Sequence, residues 1–142
     1  MTAIAGQERF FVDESALGLG HALVAARRDT ICAGHALIPL APVGTPDPLW
    51  MQEVAKRDLI VIARDKRIRT KPAEIEAFVK LGLRSFWLGG KHDKSTWEYL
   101  VLAVRMWERM EKTIEVTGPG PWMFSITDGG LTRIDLNRKR RP

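Results

Sequence analysis

The stretch DPLWMQEVAKRDLIVIARD, residues 47–65, decides the fold. Asp47 and Pro48 are typical of a helix start, because an Asp side chain accepts free N–H groups there and proline suits the first turn. Apolar residues then recur at helical spacing, namely Leu49, Trp50, Val54 and Ala55. Residues 59–63, LIVIA, follow as an unbroken apolar run with three β-branched residues. Such a run predicts a parallel strand that is buried on both faces.

The rest of the chain continues this alternation of strands and helices. The patterns predict strands at 9–13, 30–33 and 83–88, a helix of small residues before the second strand, a helix at 72–81 and a longer one from Ser95 to about Val116. Residues 122–136 read as a hairpin, or a strand and its return. This order predicts an α/β protein, a three-layer α/β/α sandwich around a mainly parallel sheet, with a C-terminal β-hairpin or edge strands.

The long helix carries two apolar stripes. Ser95 and Glu98 predict a capping box at its start. The first stripe consists of Trp97, Leu100, Val104, Trp107 and Met110, and the second of Tyr99, Leu102 and Met106. Two apolar faces predict burial on two sides, with a second copy of the chain as a candidate for the outer side.

Length and composition predict one globular domain, residues 1–137, followed by a basic tail, residues 138–142. The chain has 142 residues, 45% of them hydrophobic and 27% charged, which excludes disordered and collagen-like classes. Its apolar runs are too short to span a membrane, and its start lacks the pattern of a secretory signal. One cysteine, Cys32, excludes an internal disulfide, so we expect a cytoplasmic protein.

The net charge of +5 is concentrated in two places. The window RDKRIRTK at 64–71 and the tail at 138–142 each carry net +4, which leaves the rest of the chain mildly acidic. Either cluster can meet phosphate. A short basic tail can equally do no more than solvate a terminus, and the sequence leaves both readings open.

Three acids are placed to meet at one edge of the predicted sheet. Asp13 ends the first strand, Asp65 ends the third, and Asp47 opens the helix that leads into the third. In open α/β sheets the site lies beyond the carboxyl ends of the strands. Converging carboxylates repel one another unless a cation neutralises them, and oxygen ligands suit Mg²⁺ or Mn²⁺. Taken singly, Asp47 reads as a helix cap and Asp65 as an ordinary strand-end acid.

Basic residues flank the third acid. Arg64, Lys66 and Arg67 can hold the phosphates of a substrate, while the acids hold a metal that activates water against a phosphodiester. The three histidines show no metal-ligand spacing, and no nucleophile elbow, GxGxxG or Walker A motif is present.

FVDES at 11–15, followed by DPLWMQEVAKRDLIVIARDKRI at 47–68, resembles the PIN-like nucleases, and most of all the toxin ribonucleases of VapBC-type toxin–antitoxin modules. The resemblance covers roughly residues 9–110. It implies a ribonuclease dependent on Mg²⁺ or Mn²⁺, with Asp13, Asp47 and Asp65 as the acidic cluster. It also implies an RNA substrate, a homodimer and a protein antitoxin.

One departure from the family pattern concerns a fourth acid. Longer PIN domains carry it on a helix between the first strand and the position of Asp47, where this chain has only Asp29. Glu14 and Asp93 are therefore the candidates for that role here.

Two other functions stay open at this point. The first is a non-catalytic RNA- or protein-binding module on the same fold. The second is a receiver-like or phosphatase domain with an acidic site, in which Asp13 and Glu14 would form the acidic pair and Lys91 the later lysine.

Overall fold

The computed structural model describes residues 7–36, 47–64, 72–90 and 93–136. Within these ranges six strands form one sheet, in the order β2-β1-β3-β4-β5-β6. Neighbouring strands are parallel except for the last pair, β5 and β6, which is antiparallel. The strands are β1 (Phe10–Val12), β2 (Thr30–Cys32), β3 (Ile60–Arg64), β4 (Arg84–Leu88), β5 (Trp122–Thr127) and β6 (Gly130–Arg133). The mainly parallel sheet and the C-terminal hairpin that the sequence predicts are confirmed.

Helices cover both faces of this sheet. They are α1 (Leu17–Ala26), α2 (Asp47–Lys56), α3 (Pro72–Leu81) and α4 (Thr96–Thr117), and a short 3₁₀ turn (Glu14–Ala16) joins β1 to α1. No helix in the described ranges is both long and apolar enough to cross a bilayer. The predicted basic tail, 138–142, lies outside the described residues.

Alternate residues of each strand enter opposite halves of the core. Phe10 and Val12 of β1 pack in the half under α1 and α4, whereas Phe11 between them packs in the half under α2 and α3. Residues 60–63 of β3 alternate in the same way and are all nearly fully buried. This double burial confirms the predicted three-layer sandwich, and it explains why these strands read as unbroken apolar runs.

Two glycines let α1 lie close to its neighbours. A Cβ on Gly20 would come within 2.8 Å of the Cys32 Cβ and 3.2 Å of the Val12 Cβ. A Cβ on Gly18 would collide with the Thr96 side chain at the start of α4. Glycine costs about 1 kcal/mol relative to alanine inside a helix. Here that cost is offset by the close packing of α1 on the sheet and on α4.

The structure confirms the burial of one apolar stripe of α4, while the burial of the other against a second copy stays a prediction. Tyr99, Leu102 and Met106 face the sheet, as predicted. In the outer stripe, however, Trp97 is 69% exposed and Val104 is 64% exposed. The sheet covers only one side of α4, so the outer stripe begins in solvent. Helical spacing shows which residues share a face, but not whether another layer covers that face.

Of two smaller predictions, the capping box of α4 is confirmed and the inward position of Leu49 on α2 is wrong. The capping box is present, because Ser95 Oγ accepts from the Glu98 N–H at 3.1 Å and Glu98 Oε1 accepts from the Ser95 N–H at 2.9 Å. Leu49 was expected on the inner face of α2 but is exposed, because Trp50 and Met51 fill that face.

An ion-pair network closes the amino edge of the sheet. Arg9 donates to both carboxylate oxygens of Glu111 on α4, at 2.6 and 3.0 Å, and to Asp29 at 3.2 Å. Arg27 makes two hydrogen bonds of 2.8 Å to Asp29 and lies 4.4 Å from the Trp107 ring centroid. The hydrogen bonds and charge of Arg9 hold the pKa of Glu111 below its ordinary value. The network therefore ties α4 to the entries of β1 and β2.

Replacement of Gly20 by valine is expected to lower the free energy of unfolding by about 2–3 kcal/mol, because overpacking a close helix–sheet contact forces backbone shifts. Urea denaturation measures the change. Ala26→Val places the same side chain at an exposed position on the same helix and is expected to stay within about 0.5 kcal/mol of the wild type. Equal losses in the two variants would show that helix propensity, rather than close packing, sets the cost.

Removal of the Glu111 charge is expected to have a pH-dependent effect. Since the folded-state pKa of Glu111 is lowered, its stabilisation is fully present above its ordinary pKa and is lost as the pH falls through the folded value. Glu111→Gln is therefore expected to cost about 1 kcal/mol at pH 7 and progressively less toward pH 3.

Urea denaturation across this pH range checks the effect, with the exposed Glu115→Gln on the same helix as control. A gap between the wild type and Glu111→Gln that persists unchanged at pH 3 would contradict the ion-pair account.

Candidate functional site

Asp13 stands at the carboxyl end of β1. Its backbone N–H donates to the Ile62 carbonyl of the neighbouring strand at 2.9 Å. Its carboxylate accepts from the Ser15 N–H at 3.2 Å and so caps the 3₁₀ turn. An aspartate is favoured at such a position because its side-chain oxygen satisfies an N–H that the turn leaves unpaired. The half-buried Asp13 carboxylate is thereby held at the edge of the sheet.

The register of β1 and β3 determines what lies beside Asp13. Val12 pairs with Ile62, so Asp13 continues level with Ala63, and Arg64 is the last residue of β3. Asp65 lies outside the described residues, but it follows Arg64 directly, and consecutive Cα atoms are about 3.8 Å apart. The strand ends that precede Asp13 and Asp65 therefore reach the same edge of the sheet.

Asp47 begins the helix that returns to this edge. Only the three residues 57–59 separate the end of α2 from β3, so α2 runs antiparallel to the strand that it precedes. Trp50 anchors its first half, with its ring stacked on Phe11 at a centroid distance of 5.6 Å. The backbone of Asp47 thus starts α2 on the carboxyl side of the sheet, and its side chain is outside what the structure describes.

Ser15 links the turn after β1 to the end of β3. Its hydroxyl oxygen accepts from the Arg64 backbone N–H at 3.1 Å, a contact between residues 49 positions apart. The same short turn therefore holds both the Asp13 carboxylate and the last residue of β3. Ser15 was not among the site residues predicted from the sequence. The signal was a hydroxyl two residues after a strand-end aspartate, which is a frequent pattern in capped turns.

The Arg64 guanidinium is already engaged in this structure. It pairs with the Asp93 carboxylate and lies 5.4 Å from the Tyr99 ring centroid. Asp93 has an 88% exposed side chain, whereas the Arg64 side chain is 27% exposed. Ion pairs with such an exposed partner are weak, so a phosphate can displace Asp93 from Arg64 at small cost.

The other predicted site residues lie at several places in the chain. Glu14 is exposed in the first turn after Asp13, and Asp93 is brought beside Arg64. Lys66 and Arg67, like Asp65, lie outside the described residues. In the part of the chain that the structure describes, no three His, Cys, Asp or Glu side chains are grouped closely enough to hold a metal. Of the acidic triad, Asp65 and the side chain of Asp47 lie outside that part.

The donors at this edge suit a hard cation. An ionised carboxylate offers about four lone-pair sites, so a carboxylate that caps a turn can also bind a metal. Mg²⁺ takes oxygen ligands and usually keeps several waters, and it needs only one or two carboxylates from the protein. Asp13, with Asp47 and Asp65 as its predicted companions, therefore fits Mg²⁺ or Mn²⁺ by donor type.

The family of the chain follows from comparison with known protein families. A family model described as a PIN-like domain matches residues 9–90, from the start of β1 to just beyond β4. The matched segment contains Asp13, Asp47 and Asp65. Neither the curated proteins nor the solved structures gave a significant match. The match covers more than half of the chain and agrees with its fold, so the chain belongs to the PIN-like domain family.

Proposed function

We propose that this protein is a metal-dependent endoribonuclease whose Asp13, Asp47 and Asp65 bind Mg²⁺ or Mn²⁺. The observation that carries the proposal is the parallel register of β1 and β3 within a PIN-like domain. That register brings the strand end at Asp13 next to the strand end at Arg64, which Asp65 follows. Acidic residues at adjacent strand ends can together hold a cation of the kind that assists phosphodiester hydrolysis.

A bound divalent cation would supply an activated water and would neutralise charge on the leaving oxygen of the phosphodiester. The protein itself fixes the positions of the groups around the metal. The Ser15 N–H orients the Asp13 carboxylate, and the Ser15 hydroxyl fixes the end of β3 at Arg64. Rigid ligands of this kind avoid reorganisation when substrate binds.

Arg64, Lys66 and Arg67 are proposed to bind the RNA phosphates. For Arg64 the argument is its place at the sheet edge and its weak pairing with an exposed acid. When a phosphate takes its place, Asp93 is released next to the site. Asp93 and Glu14 therefore remain the two candidates for a fourth acid.

The alternatives are separated by activity and metal binding. A non-catalytic RNA- or protein-binding module would show neither calorimetric binding of Mn²⁺ nor cleavage. The receiver-like or phosphatase reading is disfavoured, because the segment with Asp13 and Glu14 falls inside the PIN-like match.

The toxin role, the antitoxin and the homodimer are proposed on the resemblance to VapBC-type toxins. A neighbouring small gene for a DNA-binding protein would support the toxin role. The exposed side chains of Trp97, Val101 and Val104 on α4 support a partner of some kind, because exposed apolar side chains grouped on one helix face favour burial in an interface. Sedimentation of the full chain decides whether that partner is a second copy.

Asp13→Asn is expected to lower Mg²⁺- or Mn²⁺-dependent RNA cleavage by more than about 100-fold, since loss of even an outer-shell partner of a metal typically costs 10–100-fold. The fold is expected to survive, because asparagine caps a turn as well as aspartate does. Cleavage of a labelled single-stranded RNA with and without metal measures the effect.

Asp58→Asn is the matched control. Asp58 is an exposed acid in the loop before β3. It pairs with Arg84, and asparagine tolerates its φ of 53°. Full metal-dependent activity in Asp13→Asn would refute the metal-binding role of Asp13, and equal losses in both variants would make the effect non-specific.

Ser15→Ala is expected to lower the free energy of unfolding by about 1 kcal/mol, because it leaves the Arg64 N–H without its acceptor. The Arg64 amide is also expected to exchange its hydrogen faster, which NMR detects. Ser125→Ala is the control, since the Ser125 hydroxyl makes no side-chain hydrogen bond to the described residues. Unchanged exchange at Arg64 would contradict the linking role of Ser15.

A further inference from the structure

A groove runs between the second half of α4 and the β5–β6 hairpin. Its volume is about 520 Å³. Arg109 and Lys112 of α4 form one wall, while Phe124 and Leu131 of the hairpin form the other. None of the described residues that line it is acidic. The groove is therefore a basic surface with an apolar floor.

The cations of α4 form a line along the helix. Arg105, Arg109 and Lys112 are spaced four and three residues apart, so they share a face and span roughly 10 Å along the axis. Arg105 has an acidic neighbour, Asp128, at 3.9 Å. Arg109 and Lys112 make no ion pair with the described residues. Their charges are thus available to an anionic ligand.

The hairpin register places a further cation on the same side. Phe124 pairs with Arg133, and Ile126 pairs with Leu131, so these four side chains share the face of the hairpin that looks toward α4. The Arg133 guanidinium lies 5.9 Å from the Phe124 ring centroid. Gly130 keeps the turn narrow here, because a Cβ on it would come within 3.3 Å of Arg109 Nη1. The groove thus combines two lining cations, Arg109 and Lys112, with the half-buried Phe124 ring, and Arg133 lies beside that ring.

The groove also connects to the candidate site. The carboxyl end of β5 lies two strands from β3, roughly 10 Å away at the usual strand spacing. Lys94, next to Asp93, pairs with Asp128 in the hairpin turn at 3.3 Å, and Arg105 contacts the same acid. Basic side chains therefore continue from the acidic edge, across the hairpin turn, to the cations of α4.

We propose that this groove binds the backbone of single-stranded RNA outside the cleavage site. Proteins that bind single strands combine a positive groove along the backbone with aromatic side chains that contact bases, and both elements are present here. An acidic peptide added to the edge of β6 is the competing occupant. It is disfavoured because β6 has only four residues, too few for a long added strand. The choice of RNA as the polyanion rests on the proposed ribonuclease function.

The test measures binding without cleavage. A fluorescent 20-nucleotide oligo(A) RNA is titrated by anisotropy in EDTA, at several salt concentrations. Arg109→Glu and Lys112→Glu are each expected to raise the Kd roughly tenfold at low salt. The plot of the logarithm of the association constant against the logarithm of salt concentration should become less steep, by about 0.7 for each phosphate that the variant no longer neutralises. Lys80→Glu, an exposed reversal on α3, makes the same charge change and should leave the Kd nearly unchanged. Circular dichroism shows that each variant is folded.

The outcomes separate this proposal from the proposed function. If wild type cleaves RNA but both groove variants bind like Lys80→Glu, the groove proposal fails and the nuclease stands. If wild type does not cleave, yet the groove variants alone lose affinity, the nuclease fails and the groove stands. Absence of RNA binding by wild type overturns the groove proposal. An acidic peptide that binds in place of RNA and loses affinity in these variants also overturns it.

Discussion

The pairing of β1 with β3 is the constraint on which the rest of the structure depends. β1 has only three residues, all fully buried, and they alternate between the two halves of the core. A slip of one residue would turn Phe11 away from Trp50 and place it under α4. The core therefore sets the register, and the register sets the position of Asp13. Packing therefore sets where the candidate site lies, and the contacts of Ser15 orient Asp13 and Arg64 within it.

Much of the fold could be predicted because its signals are local. The apolar run at 59–63 by itself indicates a strand that is buried on both faces. Ser95 and Glu98 likewise indicate a helix start from within four residues. The outer face of α4 could not be predicted in this way. Trp97 and Val104 have the same spacing as core residues, but their burial depends on whether a further layer lies above them, and in the described chain none does.

The candidate site likewise has one part that local sequence predicts and one part that depends on contacts between distant residues. Asp13 could be placed at a sheet edge from the strand that it ends. The contacts that organise this edge could not, because Ser15 meets Arg64 across 49 positions and Arg64 meets Asp93 across 29. Such pairs exist only after the sheet order is known. Asp65, Lys66 and Arg67 stay predictions, since they lie outside the described residues.

Charge is organised differently at different parts of this molecule, and that difference bears on function. At the amino edge, Arg9 and Arg27 are matched by Asp29 and Glu111, so their charges are used within the fold. On the side of α4 that lines the groove, Arg109 and Lys112 pair with no acid among the described residues. In the proposed complex, RNA phosphates would neutralise these charges, and a strand that passes from the acidic edge to α4 would use both surfaces at once.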